Sequence, residues 1–107
     1  DLQTRTDTTF TEIKSTNNTK INYLGSTTNA SGTSGGTVCY VFNPTNTSSY
    51  TFLLWQNQSG YSSSLALGYK GIAVLKQLSS ITGFHLTDNS TGDFTNTTVR
   101  TYGLAVN

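Results

Sequence analysis

Six short runs set the limits on what this chain can fold into: TVCYVF (37–42), YTFLLWQ (50–56), SLALGYK (64–70), GIAVLKQLS (71–79), ITGFHLT (81–87) and TVRTYGLAV (98–106). Each is rich in β-branched and aromatic residues, and each is bounded by turn chemistry, which is the signature of strands. The single proline falls in NPTNTSS, between two runs, where it interrupts no ladder. NQSGYSS and TDNSTGD read as turns in the same way. GIAVLKQL has helical periodicity as well, but its shortness, its β-branched content and the flanking Gly68 and Gly71 favour a strand. The expected fold is therefore all-β, a small antiparallel barrel or sandwich, in one domain. At 107 residues the chain buries about two thirds of its unfolded surface, enough for one modest core.

Residues 1–24 differ from the rest. RTDTTFTEIKSTNNTKINYLG is polar and Thr-rich, and Phe10, Ile13, Ile21, Tyr23 and Leu24 are too sparse to cover a core. Such a segment needs a partner, either the rest of the domain or copies of itself. STTNASGTSGG (26–36) then reads as a loop or hairpin tip. Among the strands, TFLLW is apolar on both parities, with Phe52 and Leu54 on one face and Leu53 and Trp55 on the other. A barrel with water outside should alternate cleanly, so the excess implies that another subunit covers part of the outer face.

Composition narrows the function. Apolar residues make up 34% and charged residues 10% of the chain, both below globular norms, with Thr, Ser, Asn and Gly filling the difference. Six Tyr, five Phe and one Trp argue against disorder. A net charge of +1 with scattered basic residues provides no field for nucleic acid. Cys39 is the only cysteine and reads as a small buried hydrophobe in TVCYVF, so neither an internal disulfide nor a thiolate metal site is expected. No apolar run approaches the roughly 18 residues of a membrane span. DLQTRTDTTF lacks the regions of a signal peptide, and a start without Met leaves room for an upstream region. Asn17, Asn29, Asn46, Asn57, Asn89 and Asn96 head Asn-x-Ser/Thr sequons, which a chain this rich in Asn, Ser and Thr produces by coincidence.

Catalysis finds little to work with. His85 and Asp88 supply half of a Ser/His/Asp arrangement, but no Gly-x-Ser-x-Gly elbow supplies the nucleophile. The carboxylates available for a glycosidase pair are Asp1, Asp7, Glu12, Asp88 and Asp93, and three of those lie in the polar N-terminal segment. A single His and a single Cys do not build a zinc site, and DNSTGD is too short for an EF-hand loop. Asp88 and Asp93 are equally accounted for as turn caps. No enzyme, metal or cofactor is expected.

Saccharide binding fits the inventory better, because a sugar needs an aromatic plate, planar amides for its hydroxyls, and a cation where phosphate or carboxylate is present. LLWQNQ offers Trp55 with Gln56 and Asn57, GFHLTD offers His85 with Asp88, and TVRTYG offers Arg100 beside Tyr102. Strand parity sends Phe84 and Leu86 to the core and leaves His85 outward beside the small Gly83. Arg100 should face solvent or a pocket, since an unpaired guanidinium is rarely buried. Each residue also has a plainer role: Trp55 as core, His85 as a solvated strand residue, Arg100 as the ion-pair partner of an Asp.

The stretch LLWQNQSGYSSSLALGYKGIAVLKQLSSITGFHLTDNSTGDFTNTTVRTYGL resembles the C-terminal head domain of the receptor-binding proteins at the baseplate tip of lactococcal siphophages. The resemblance covers residues from about 25 onward, and GFHLTDNSTGDFTNTTVRTYGL is its most specific part. The preceding TRTDTTFTEIKSTNNTKINYLG is similar to the neck of that family. The resemblance implies a homotrimer with a helical shoulder upstream, an interlaced β neck over residues 1–24 and β-barrel heads over 25–107. It further implies a place in the virion at the distal tail baseplate, contacts with other baseplate proteins through the upstream region, and binding of a host cell-wall saccharide or phosphopolysaccharide. Family pockets are built from Trp, His, Asp and Arg, which here are Trp55, His85, Asp88 and Arg100, with Gln56 and Asn57 as additions. Some members place the Asp two residues after the His; here position 87 is Thr, so the pocket acid is Asp88, Asp93 or none. Three sites on one tip also make weak single-site affinity usable. The alternatives are a structural or decoration β-barrel making only protein contacts, and a glycosylated ectodomain.

Overall fold

A computed structural model describes residues 2–5, 10–21, 24–26, 32–62, 65–88 and 94–105. Its regular structure is all strand: β1 (Leu2–Arg5), β2 (Phe10–Glu12), β3 (Gly35–Phe42), β4 (Thr51–Ser62) and β5 (Leu65–Leu75). They form one antiparallel sheet in the order β2-β1-β5-β4-β3, open, with β2 and β3 at its edges. Its centre is the three-strand meander β3-β4-β5, to which β1 adds by pairing Leu2 with Lys70 and Arg5 with Leu67. Through β1 the polar N-terminal segment meets the rest of the chain.

The strands differ in number and length from the sequence expectation. TVCYVF lies within β3 and YTFLLWQ within β4, but SLALGYK and GIAVLKQLS merge into the single strand β5, which stops at Leu75. NQSGYSS is not a turn: β4 runs on to Ser62, and a register shift between Gly60 and Ser62 takes up the irregularity, the usual service of a glycine within a strand. ITGFHLT and TVRTYGLAV carry no ladder among their described residues. Strand composition measures fit to a pleated, half-buried surface, and β1 already occupies the edge of β5.

The connection 43–50 shows how polar residues stand in for a ladder. Asn43 adopts a left-handed backbone (φ 60° region, at 59°), its carbonyl accepts from Asn46 N at 3.3 Å and from the Thr51 hydroxyl at 3.3 Å, and Asn46 Oδ1 accepts from Ser48 N at 2.7 Å. Thr51 is thereby buried completely. Ile81 N donates to Pro44 O at 2.6 Å and ties the C-terminal segment to this turn.

The core sits on the odd-numbered face of β4 and β5. Trp55, Leu67 and Tyr69 are its buried apolar residues, joined by Thr51, Asn57 and Ser59. The even face is open: Val38, Tyr40 and Phe42 of β3, Phe52 of β4, and Ile72 and Val74 of β5 are all exposed. Two expectations about burial are corrected here. Cys39 is exposed, because β3 is an edge strand with all its residues open. Phe84 and Leu86 are exposed at 67% and 41% and are not core in this chain, since the 81–87 run joins no sheet that would cover them.

Candidate functional site

The residues singled out for saccharide binding fall into two groups. Trp55, Gln56 and Asn57 lie in mid-β4, and the pleat divides them: Trp55 and Asn57 point to the packed face, Gln56 to the open one. His85, Asp88 and Arg100 lie outside the sheet, in the irregular segments 76–88 and 94–105, and all three are exposed. Asp93, the other candidate acid, lies outside the described residues.

Trp55 is 3% exposed. It pairs with Gly71 across the β4–β5 ladder, and a Cβ at Gly71 would collide with the indole, so the ring rests on the glycine backbone. A sugar-stacking plate needs an open ring face; Trp55 as placed is core. Its Nε1 and the Ser59 hydroxyl are buried without a hydrogen-bond partner among the described residues.

Asn57 is likewise committed to the fold. Its Nδ2 donates to Thr37 Oγ1 at 2.8 Å and to Gly36 O at 3.2 Å, while its Oδ1 accepts from Ser26 N at 3.4 Å. The amide thus joins β3, β4 and the segment before β3, and Gly25 packs so closely on it that a side chain there would overlap the amide. The sequence hides this role, because an Asn after Trp-Gln reads equally as a ligand for hydroxyls. Gln56 is exposed and lies between Val38 and Lys70 in adjacent strands, so the cation nearest it in the ladder is Lys70, which the sequence reading did not single out.

The second group has the exposure that ligand contact requires. A Cβ at Gly83 would meet nothing within 4 Å, so the space on that side of the 83–88 segment is open. His85 offers two ring nitrogens, Asp88 a carboxylate on a residue that already takes part in an interaction, and Arg100 a five-donor fork suited to phosphate or paired hydroxyls. An open concavity of about 460 Å³ lies at the far end of the sheet, lined by Ser34, Gly35, Gly36, Gln58, Ser59 and Leu67 among others. None of the expected site residues lines it.

Among the described residues no group of three His, Cys, Asp or Glu is arranged to hold a metal ion, and no helix is long and apolar enough to cross a membrane. The Cys39 thiol is pushed above its ordinary pKa by loss of surrounding water. Comparison with protein-family models, curated proteins and solved structures finds no match.

Proposed function

We propose that this chain is the receptor-binding head of a phage adsorption protein, which recognises a cell-surface saccharide or phosphopolysaccharide of a Gram-positive host reversibly and without turnover. The observation that carries the reading is that His85, Asp88 and Arg100, the polar residues of the stretch that resembles the family most specifically, are all exposed, with open space at Gly83, two residues before His85. In this reading His85 and an acid, Asp88 or Asp93, hydrogen-bond hydroxyls, and Arg100 takes phosphate or hydroxyl oxygens. Trp55 and Asn57 brace β4, and Gln56 is left as a peripheral contact. Three chains assemble at the distal baseplate, joined to other baseplate proteins through an upstream region.

The test is calorimetric titration with host cell-wall saccharide fragments and with glycerol phosphate. Saturable heat from the fragments supports the reading, and a flat response to all of them sinks it. The rival reading, a structural or decoration β-barrel of a virion that makes only protein contacts, draws on the uncovered apolar face of the sheet; it expects an assembled protein with no saccharide response.

A further inference from the structure

We infer that the concavity walled by Gly36, Gln58 and Ser59, toward the end of β4, is a binding site of its own, for an uncharged ring that carries several hydroxyls, such as a pyranose. Its volume of about 460 Å³ lies within the roughly 300–1,000 Å³ of small-molecule sites. None of His85, Asp88 and Arg100 lines it, so this site and the recognition proposed for those residues fail separately.

The hollow follows from where side chains are missing. β3 opens on two glycines, Gly35 and Gly36, which pair with Ser59 and Gln58 of β4. A Cβ at Gly36 would meet nothing within 4 Å, so space stands where another residue would have filled it. On the β5 side, Ala66 pairs with Gly60, next to the register shift between Gly60 and Ser62, an irregularity of the kind that recurs beside functional sites. Gly60 N donates to Ser34 O at 3.0 Å, and Thr33 packs where a Gly60 side chain would stand, so the chain leading into β3 is held at the rim.

Ser59 carries the argument. It is 5% exposed, it lines the concavity, and its hydroxyl is buried with no hydrogen-bond partner among the described residues. Such a group is costly and rare in a native interior. Gly35 presses against Ser59 so closely that a Cβ there would overlap it, and the concavity is the side from which a partner can arrive.

The rest of the lining sets the class of ligand. The Gln58 amide and the Ser34 hydroxyl each donate and accept, as a ligand hydroxyl does. An ionised phosphate or carboxylate only accepts and calls for a cation, whereas the described lining holds no charged side chain. Ala66 and Leu67 offer an apolar surface to the C–H face of a ring.

The test is an amide-resolved NMR titration of the wild type with methyl glucoside, and with glucuronate as its charged counterpart, repeated on Ser59→Ala and Gly36→Val. A valine at position 36 projects into open space and keeps the carbonyl that accepts from Asn57 Nδ2. The expected result is saturable shifts at Gly35, Gly36, Gln58 and Ser59 with methyl glucoside, weaker ones with glucuronate, and affinity lower by about tenfold in each variant. Ser59→Ala should leave the unfolding temperature unchanged or raise it, because the hydroxyl it removes is unpaired; a lowered temperature would assign the hydroxyl to the fold and overturn the inference. Absence of shifts at those four amides with methyl glucoside overturns it too, as does a stronger response to glucuronate or wild-type affinity in both variants. If Gly36→Val does not fold, Ser59→Ala decides. Shifts confined to the surroundings of His85 and Arg100 would remove this site while supporting the other.

Discussion

The indole of Trp55 lies on the backbone of Gly71, its cross-strand partner in the β4–β5 ladder, and each residue fixes what the other can be. An aromatic ring at one position requires the absence of a side chain at the other. Gly71→Ala should therefore destabilise the chain by about 1–3 kcal/mol, the usual cost of overpacking a filled site. Urea unfolding gives the number, and a variant as stable as the wild type would show that the ring moves aside freely.

Substitutions at Trp55 itself separate packing from polarity. Trp55→Phe keeps an aromatic ring over Gly71 and removes the buried, unpaired Nε1, which offsets part of the lost contact. Trp55→Ala opens a cavity and should cost about 3–5 kcal/mol. Thermal unfolding of the pair distinguishes the two effects; equal losses would mean that ring packing contributes little.

Asn57 and Thr37 face each other in the β3–β4 ladder and share a 2.8 Å hydrogen bond. Asn57→Ala strands the Ser26 amide and the Gly36 carbonyl as well, so a loss of about 1–3 kcal/mol is expected. Thr37→Val should cost less, and a double-mutant cycle should give a coupling of about 0.5 kcal/mol or more. Additive effects would remove the bond from the account.

His85→Ala and Arg100→Ala should each weaken saccharide binding by about tenfold or more, the scale of a lost charge-assisted hydrogen bond. Both side chains are exposed outside the sheet, so the thermal transition should shift by no more than a degree or two. Unchanged titration curves for both variants would locate recognition elsewhere on the chain.

Cys39 gives a pH prediction. Its thiol pKa is raised above the ordinary 9.0 because water is partly withdrawn from the sulfur. The folded chain then holds its proton to higher pH than the unfolded chain, so stability is unaffected below about 9 and declines as pH climbs through the folded value. Thiol labelling at pH 8 should be slower in the folded chain than in urea. Cys39→Ser should abolish both the labelling and this part of the alkaline loss; labelling at equal rates in the two states would contradict the shielding.

The residues made some of this legible and hid the rest for physical reasons. TVCYVF and YTFLLWQ could be read as strands because each run pairs in the ladder over its whole length but for Tyr50. ITGFHLT has the same composition and forms no ladder, because strand composition measures fit to a pleated surface and a local run cannot report whether a partner strand is brought to it. Gly60 misled in the opposite direction: it resembles turn chemistry, yet it absorbs a register shift inside a long strand. At the site, exposure of Arg100 could be argued from the cost of burying a guanidinium. The inward turn of Trp55 and Asn57 could not, because strand parity divides β4 into two faces without saying which is covered.

The commitment of Asn57 to three hydrogen bonds also bears on where this protein can be made. Asn57-Gln58-Ser59 is a glycosylation sequon, and in a eukaryotic secretory pathway a glycan is transferred while the chain is still unfolded. A glycan on that amide would replace one of its two N–H donors, so that the bonds to Thr37 and Gly36 could not both persist, and on a residue 3% exposed it would crowd Gly25, so modification at this position and the native sheet are mutually exclusive. Material secreted from such a host should divide into a folded, unmodified fraction and an aggregated fraction that mass spectrometry finds glycosylated at Asn57. A bacterial cytoplasm presents the chain with no such choice.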